Sequence, residues 1–592
     1  MDSSLYGWFE PGRTIHVSAR DPHVAPHALR SALTRHGTVE LTLEEAFFVS
    51  ATHCDFYAAS AEGVRFLVRQ YRREPLLPSD DIFPREIHQH LNLPIGECRR
   101  PGTYFLVWQQ LDATPLRTLL DKAPTPTPVD RALILLPPVL RLLEALHEQG
   151  LAAGQLLLDR MVVGPSLDVA IEMVESPHRL GTALRDSGQA PGSVHPRTFS
   201  SFPGVHDMDT ELYAFGTLAW QLLTGALPPA SAKTHYRAAI PLRGFRPDLT
   251  PGIAPLIENA MSIRPTIAYS SPRAFLDALS RAAKRIQDLR PHTIRGLQVS
   301  AETHIGIAKR HVMPINQDAI LAASAGGELA LLLVSDGVST ADYGSGDIAS
   351  EFVRSEAFRA WRQIEDAELE STTQRVDFLK QIIDKANRAI VQYINGQYSP
   401  FLGDPSRVMA ATAVLALVAF GRVTVVSTGD SPAFLVRDGK IERLNRDQNV
   451  LTLSLVAGAD LDEILMSGWP DALASCVGTF AIDDTGHLVP SSVEVDALEF
   501  TLAPDDRLVL CSDGLTDYIA DNAATGAEII RRVVSFDNIP AITALELILL
   551  GNRGGGGDNV SVALCYVSDE ETPIIVSAED IAVAPRRMGN IE

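Results

Sequence analysis

Basic residues are the minority in this 592-residue chain: 51 Lys and Arg stand against 73 Asp and Glu, a formal charge of -22 at pH 7. That balance lacks the cationic footprint a phosphodiester backbone requires, so nucleic acid is not expected as a partner. Cysteine is scarce as well. The five, Cys54, Cys98, Cys476, Cys511 and Cys565, are odd in number, scattered and without metal-ligand spacing, which fits buried thiols in a reducing compartment. No apolar run reaches membrane-spanning length, the longest lying near Ala410 to Phe420, and the opening MDSSLYGWFEPGR has no apolar signal core. These absences lead to the expectation of a soluble cytoplasmic protein with no membrane partner. The hydrophobic fraction of 46% is enough for sizeable cores, over a length that suggests three to four units or two large ones.

The most informative stretch is Leu331 to Thr340, LLLVSDGVST, an apolar run that stops on Asp336 and Gly337. It reads as a buried strand that delivers Asp336 to its end. Arg507 to Asp517, RLVLCSDGLTD, repeats the pattern with Asp513 and Gly514, and GGGGDNVSV at Gly554 to Val562 adds Asp558 and Asn559 ahead of another strand. Asp-Gly is also the commonest hairpin signal. Asp438-Gly439, in FLVRDGKIERL, has alternating strand residues on both sides and reads as such a turn, whereas Asp336 and Asp513 close apolar runs with no return strand. Brought to one edge, Asp336, Asp513 and Asp558 would repel one another and need compensating positive charge or raised pKa values. No basic residue adjoins any of them in sequence, so a pair of divalent ions is the simplest compensation, and oxygen-only ligands suit Mg2+ or Mn2+ over Zn2+.

The first half, after a mixed segment over residues 1–54, reads as two alternating strands within Phe56 to Tyr71 that turn at Ala61-Glu62-Gly63. Apolar stretches follow at Tyr104 to Trp108 and Pro115 to Leu120, then helices at Ala132 to Gly150, at Glu211 to Gly225 and from Ser271-capped Pro272 to about Leu289. Ser187 to Gly204, rich in Ser, Pro and Gly, reads as a mobile loop. The order LLEALHEQGLAAGQLLLDRMVV, then DTELYAFGTLAWQLLTGALPP, resembles the larger lobe of a eukaryotic-type protein kinase, a likeness running from Asp55 to Leu289, with 1–54 as part of the small lobe. The residues such an enzyme needs for phosphoryl transfer are missing. Gln155 stands where the catalytic aspartate belongs, Leu157 where a lysine usually follows, Arg160 at the asparagine position and Arg69 at the lysine position. No DFG occurs between Leu167 and Glu175, and no glycine-rich loop precedes Tyr57. The resemblance therefore implies a catalytically degenerate domain over 55–290. It is either a regulatory pseudokinase with a nucleotide or protein ligand, or a folded helical module with none.

Beyond a linker at 291–297 the pattern becomes strand-rich: a strand and polar turn from Thr303 to Ala319, a strand at Glu328 to Val334, and helices near Asp347 to Ile364 and Gln374 to Ile394, the second closed by Gly396. A meander follows at Thr412 to Phe420, Arg422 to Thr428, Pro432 to Val436 and Lys440 to Leu444, with turns at Phe420-Gly421, Gly429-Asp430-Ser431 and Asp438-Gly439. Six motifs occur here in one order: NQDA at Asn316, SDG at Ser335, ATAVLALV at Ala411, TGDSPAFLVRDG at Thr428, CSDGLTD at Cys511 and GGGGDNVSVAL at Gly554. With them, residues 298–567 resemble the metal-dependent protein phosphatases of the PP2C type.

The resemblance implies an α+β chain, with a bilobal kinase-like domain followed by an α-β-β-α sandwich and an acidic, loosely held tail at 568–592. It implies that Asp336 bridges two Mn2+ or Mg2+ ions, that the Gly337 carbonyl faces one of them, that Asp513 and Asp558 complete the other, and that Asp318 orients the attacking water. Asp430 matches a position that holds a further ion in bacterial relatives, and Lys309 or Arg310, with Arg310 preferred, holds the substrate phosphate. The implied reaction is hydrolysis of phosphoserine or phosphothreonine in a protein substrate, in a signalling role. A silent pseudokinase and pseudophosphatase scaffold is the alternative, and a bifunctional kinase and phosphatase is the least favoured. One departure is DGVST at Asp336, where two further glycines are common.

Overall fold

The structure, a computed structural model, describes residues 12–19, 38–49, 53–60, 64–71, 91–121, 129–153, 156, 158, 160–165, 169–174, 178–182, 205–230, 241–247, 249, 251–262, 268–288, 296–325, 327–364, 369–468 and 470–567. The Ala61-Glu62-Gly63 turn, Gln155, Leu157, the Ser187 to Gly204 loop and the tail lie outside them. Among the described residues, no helix is long and apolar enough to cross a membrane. The chain divides into two compact units, Met1–Pro228 with Asn259–Leu279, and Pro229–Glu258 with Ser280–Glu592.

In the first unit, strands β1 (Thr14–Ala19), β2 (Thr38–Val49), β3 (His53–Ser60), β4 (Arg65–Tyr71), β5 (Gly96–Arg100) and β6 (Thr103–Gln109) form a closed antiparallel barrel in the order β1-β2-β3-β4-β6-β5. Closure runs through Ala19 paired with Gly96, where a Cβ would stand 2.4 Å from Val17, so only glycine lets the two strands meet. The barrel interior is filled by Ile15, Val17, Leu41, Phe56, Phe66 and Phe105. Arg69 does not face an open cleft. It pairs across β3 and β4 with Asp55, at 2.6 and 2.8 Å, with both side chains buried and the guanidinium 5.7 Å from the Trp108 ring centre. Helices α1 (Val129–Glu148), α2 (Met208–Thr224) and α3 (Pro272–Asp288), the last belonging to this unit up to Leu279, lie where apolar periodicity and caps place them. Asp207 forms a capping box on α2, Gly225 closes that helix at φ 79°, and Ser271 accepts the Ala274 amide.

The second unit has two five-stranded antiparallel sheets. One contains β7 (Leu297–His304), β12 (Ala433–Arg437), β13 (Lys440–Arg443), β15 (Arg507–Cys511) and β16 (Val560–Val567), in the order β7-β16-β15-β12-β13. The other contains β8 (Ala319–Ala325), β9 (Leu329–Ser335), β10 (Ala413–Ala419), β11 (Arg422–Thr428) and β14 (Asp496–Thr501), in the order β8-β9-β10-β11-β14. The central strands are apolar throughout because both faces are covered. Leu332, Val334, Val414 and Ala416 point at Leu435, Leu508, Leu510 and Ala563 of the facing sheet. Their neighbours Leu331, Leu333, Leu415 and Leu417 point the other way, onto α4 (Gly346–Arg362) and α5 (Thr372–Tyr398). On the far side, α6 (Asp513–Ile519), α7 (Ala523–Phe536) and α8 (Pro540–Arg553) cover Val509, Val562 and Leu564. The layering is α-β-β-α.

Two expectations need correction. The four-stranded meander is split, because β10 and β11 belong to one sheet and β12 and β13 to the other. Gly429-Asp430-Ser431 is therefore a crossover between sheets, and Gly429 takes φ 91° with a Cβ position 2.7 Å from Thr412. Gly396 does not close α5, which runs on to Tyr398. The Asp438-Gly439 turn is the plain hairpin expected, with Arg437 paired to Lys440 and both turn residues at positive φ.

Candidate active site

Asp336 leaves the end of β9 and is pinned by Thr412: its amide donates to the Thr412 hydroxyl at 3.0 Å, and the Thr412 amide donates to its carbonyl at 2.8 Å. Gly337 follows with a bridge to Ala411, and its backbone packs so closely on Gly346 that an added Cβ would lie 2.1 Å from the Gly346 carbonyl oxygen. That approach fixes the loop after Asp336 despite the missing glycines of DGVST. Asp318 precedes β8, Asp513 opens α6 straight after β15, and Asp558 stands two residues before β16. All of these strand ends meet at one edge of the sandwich. Asp336 lies within hydrogen-bond reach of both Asp318 and Asp513, and Asp558 acts electrostatically on all three. Asp430, on the crossover, feels Asp513 and Asp447.

Burial is the main cause of the electrostatic state here, and mutual repulsion adds to it. It pushes Asp318 and Asp513 up to about 6 and Asp430 up to about 7, and it holds Asp336 well above the usual carboxylate range. One turn along α6, Asp517 is likewise raised to about 6, by burial first and then by Asp513.

The donors around the cluster come from far along the chain. The Ser512 hydroxyl donates to Asp318 Oδ2 at 2.9 Å, Asn559 Oδ1 accepts the Gln317 amide at 2.9 Å, and Asn559 Nδ2 donates to the Ile305 carbonyl at 2.9 Å. Asp318 Oδ1 and Asp513 Oδ1 are buried with no hydrogen-bond partner. Among the described residues no three His, Cys, Asp or Glu side chains already form a cation cage. Two unpartnered buried oxygens beside a repelling cluster, with only oxygen donors, still fit a hard divalent ion.

Lys309 gives the cluster a positive charge that no neighbour in sequence offers. The Lys309 ammonium bonds Asp558 and donates to the Ser339 hydroxyl at 2.8 Å, and Ser339 donates to Gln317 Oε1 at 2.7 Å. Arg310 sits on the same short turn, Lys309–His311, and is exposed. The His304 pKa is lowered by burial first and by the Arg310 charge second. Arg443 also approaches the cluster and donates to the Asp430 carbonyl at 3.0 Å. Ser512, Asn559, Thr412 and Arg443 carry no role that their local sequence discloses. The first three lie inside the quoted motifs, and Arg443 lies outside them all.

Residues 305–539 match the family described as Protein phosphatase 2C. A Streptococcus pyogenes protein described as a phosphatase of the 2C type is 28% identical over 275 residues, 46% of this chain and 99% of that protein. The Listeria monocytogenes serine/threonine phosphatase stp is 26% identical over 40% of this chain and 83% of its own length. Among solved structures, the catalytic domain of the serine/threonine protein phosphatase PstP, in complex with two manganese ions, is 26% identical, covers 46% of this chain and 99% of its own, and has a TM-score of 0.33. The second half of this chain carries a PP2C-type serine/threonine phosphatase domain.

Proposed function

We propose that the second half is a metal-dependent phosphatase that hydrolyses phosphoserine and phosphothreonine in protein substrates. The observation that supports this most is the gathering of Asp318, Asp336, Asp513 and Asp558, from positions up to 240 residues apart in sequence, into one under-compensated cluster around the buried Asp318. Asp336, the Gly337 carbonyl, Asp513 and Asp558 would hold two Mn2+ or Mg2+ ions, with Asp430 holding a third. When bound, such ions offset the repulsion and supply an acidified water near neutral pH. Asp318, with an unpartnered Oδ1 and a pKa of about 6, is suited to orient that water and accept its proton. Arg310, exposed beside the cluster, is open to a substrate phosphate, while Lys309 is held by Asp558.

For the first half, the reading is a pseudokinase that recruits substrate or sets activity. Arg69, tied to Asp55, supports it, because an arginine locked in a buried pair is not available to nucleotide phosphates. Lys309 favours a second reading, a silent scaffold, because an internal ammonium already compensates one carboxylate. Hydrolysis of p-nitrophenyl phosphate and of a phosphothreonine peptide, measured across a Mn2+ titration, decides between them. Mn2+-dependent turnover supports the enzyme, and none at any Mn2+ concentration leaves the scaffold.

A further inference from the structure

Glu442 is an acidic residue on β13, the outer strand of its sheet, yet it is only 9% exposed. Both of its oxygens are taken by a segment far upstream in sequence and within the same unit. Arg243 donates to Oε1 at 2.5 Å, and the Gly252 amide donates to Oε2 at 2.6 Å. Arg243 is itself 1% exposed and also donates to the Leu249 carbonyl. The segment is closed on itself by the Leu242 amide donating to Glu258 at 2.6 Å. Phe245 packs against the cluster of Leu455, Leu461 and Ile464, and Arg446, which grips Asp496 at 2.7 and 2.9 Å, reaches the Gly244 carbonyl at 3.4 Å. The described residues of 241–258 thus form a strap held to β13 through the Glu442 side chain and to the turn after it through the Arg446 side chain.

The strand so held is the one that holds Asp430. Arg443, next to Glu442, donates to the Asp430 carbonyl and grips Asp447 at 2.5 Å. Asn445 donates to the Ser431 carbonyl at 2.9 Å and accepts the Ala433 amide at 2.8 Å. Gln448 exchanges two bonds with Gly429, at 3.0 and 3.1 Å. The crossover that carries Asp430 is therefore held on each side by residues 443–448, and the strap grips the chain at Glu442, just before that stretch, and at Arg446 within it.

We propose that the described residues of 241–258 are a positioning strap for the Asp430 carboxylate, with Arg243 as the positioning residue, so that they are a working part of the metal site. This rests on the proposed role of Asp430 in holding an ion. Removing Arg243 leaves the buried Glu442 charge with only the Gly252 amide to compensate it, which loosens β13 and the turn after it. The ion held through Asp430 is the one that should weaken.

The test uses the full chain and Mn2+ alone, with bound ion counted by electron paramagnetic resonance and thermal unfolding recorded without metal. Arg243→Ala should weaken the weakest Mn2+ site by about tenfold, the usual scale for losing a residue that orients a ligand, and Arg243→Lys should recover part of it. Arg375→Ala is the control, because it breaks a buried pair with Glu499 elsewhere in the unit, and it should lower the unfolding midpoint while leaving Mn2+ binding within about twofold. Should Arg243→Ala not fold, Glu442→Gln carries the same comparison. Equal Mn2+ curves for wild type and Arg243→Ala, or equal losses in Arg243→Ala and Arg375→Ala, overturn the strap. Wild-type protein that binds no Mn2+ overturns the metal-site reading instead.

Discussion

The two units treat buried charge in opposite ways. In the first, Arg69 and Asp55 face each other across adjacent strands as a bidentate pair. In the second, four carboxylates share one edge with the Lys309 ammonium on Asp558 as the ion-pair partner found among the described residues. A balanced pair satisfies itself, and its loss costs stability. An unbalanced cluster persists in a folded protein only with protons or outside cations, so it marks a site.

The largest expected effect comes from the unbalanced side. Asp336→Asn should lower Mn2+-dependent phosphatase turnover by about 10³-fold, on the scale of several kcal/mol of metal-derived stabilisation, with the unfolding midpoint of metal-free protein unchanged or raised. On the balanced side, Asp55→Ala removes the carboxylate that grips the buried Arg69 guanidinium and should destabilise the first unit by about 3–5 kcal/mol in urea unfolding. Its cost should appear in stability, and no comparable loss of Mn2+ affinity should follow.

Next comes pH. Asp318 and Asp513, at about 6, and Asp430, at about 7, are raised in the folded state above the ordinary aspartate value of 3.8. The stability they contribute is full below about pH 4 and is lost as pH rises through 6 to 7, with each tenfold change in proton affinity worth roughly 1.4 kcal/mol for an isolated group. Metal-free protein should therefore melt higher at pH 5.5 than at pH 8, and saturating Mn2+ should flatten or reverse that trend. The smallest effect is expected from Lys309→Met. Removing the internal cation should lower the Mn2+ concentration for half-maximal turnover by about threefold if the ammonium competes with the ion, as expected of a charge partner worth under about 1 kcal/mol at a part-exposed site.

Much of the second unit was legible because its strands obey simple rules. Leu331 to Ser335 is apolar on both faces, ends on Asp336, and forms a central strand that delivers that carboxylate to the edge. What escaped was the partnership of distant residues. Gly429-Asp430-Ser431 has the composition of any tight turn, so its passage between sheets was hidden. Lys309 reaches Asp558 because the Ala308 and Lys309 amides both bond the Gly556 carbonyl, a contact no local pattern reveals. Arg243 and Glu442 are 199 residues apart in sequence, and burial alone makes their pairing matter. In the first unit, barrel closure turns on the missing Cβ of Gly96, which reads in sequence as an ordinary glycine.

The central claim is that this acidic edge binds paired divalent ions for hydrolysis, and counting Mn2+ on the full chain while following turnover tests it most directly. The expected result is at least two ions per chain, turnover that rises as the second binds, and loss of both in Asp513→Ala. Turnover that is independent of Mn2+, or ion binding that survives Asp513→Ala intact, would contradict it.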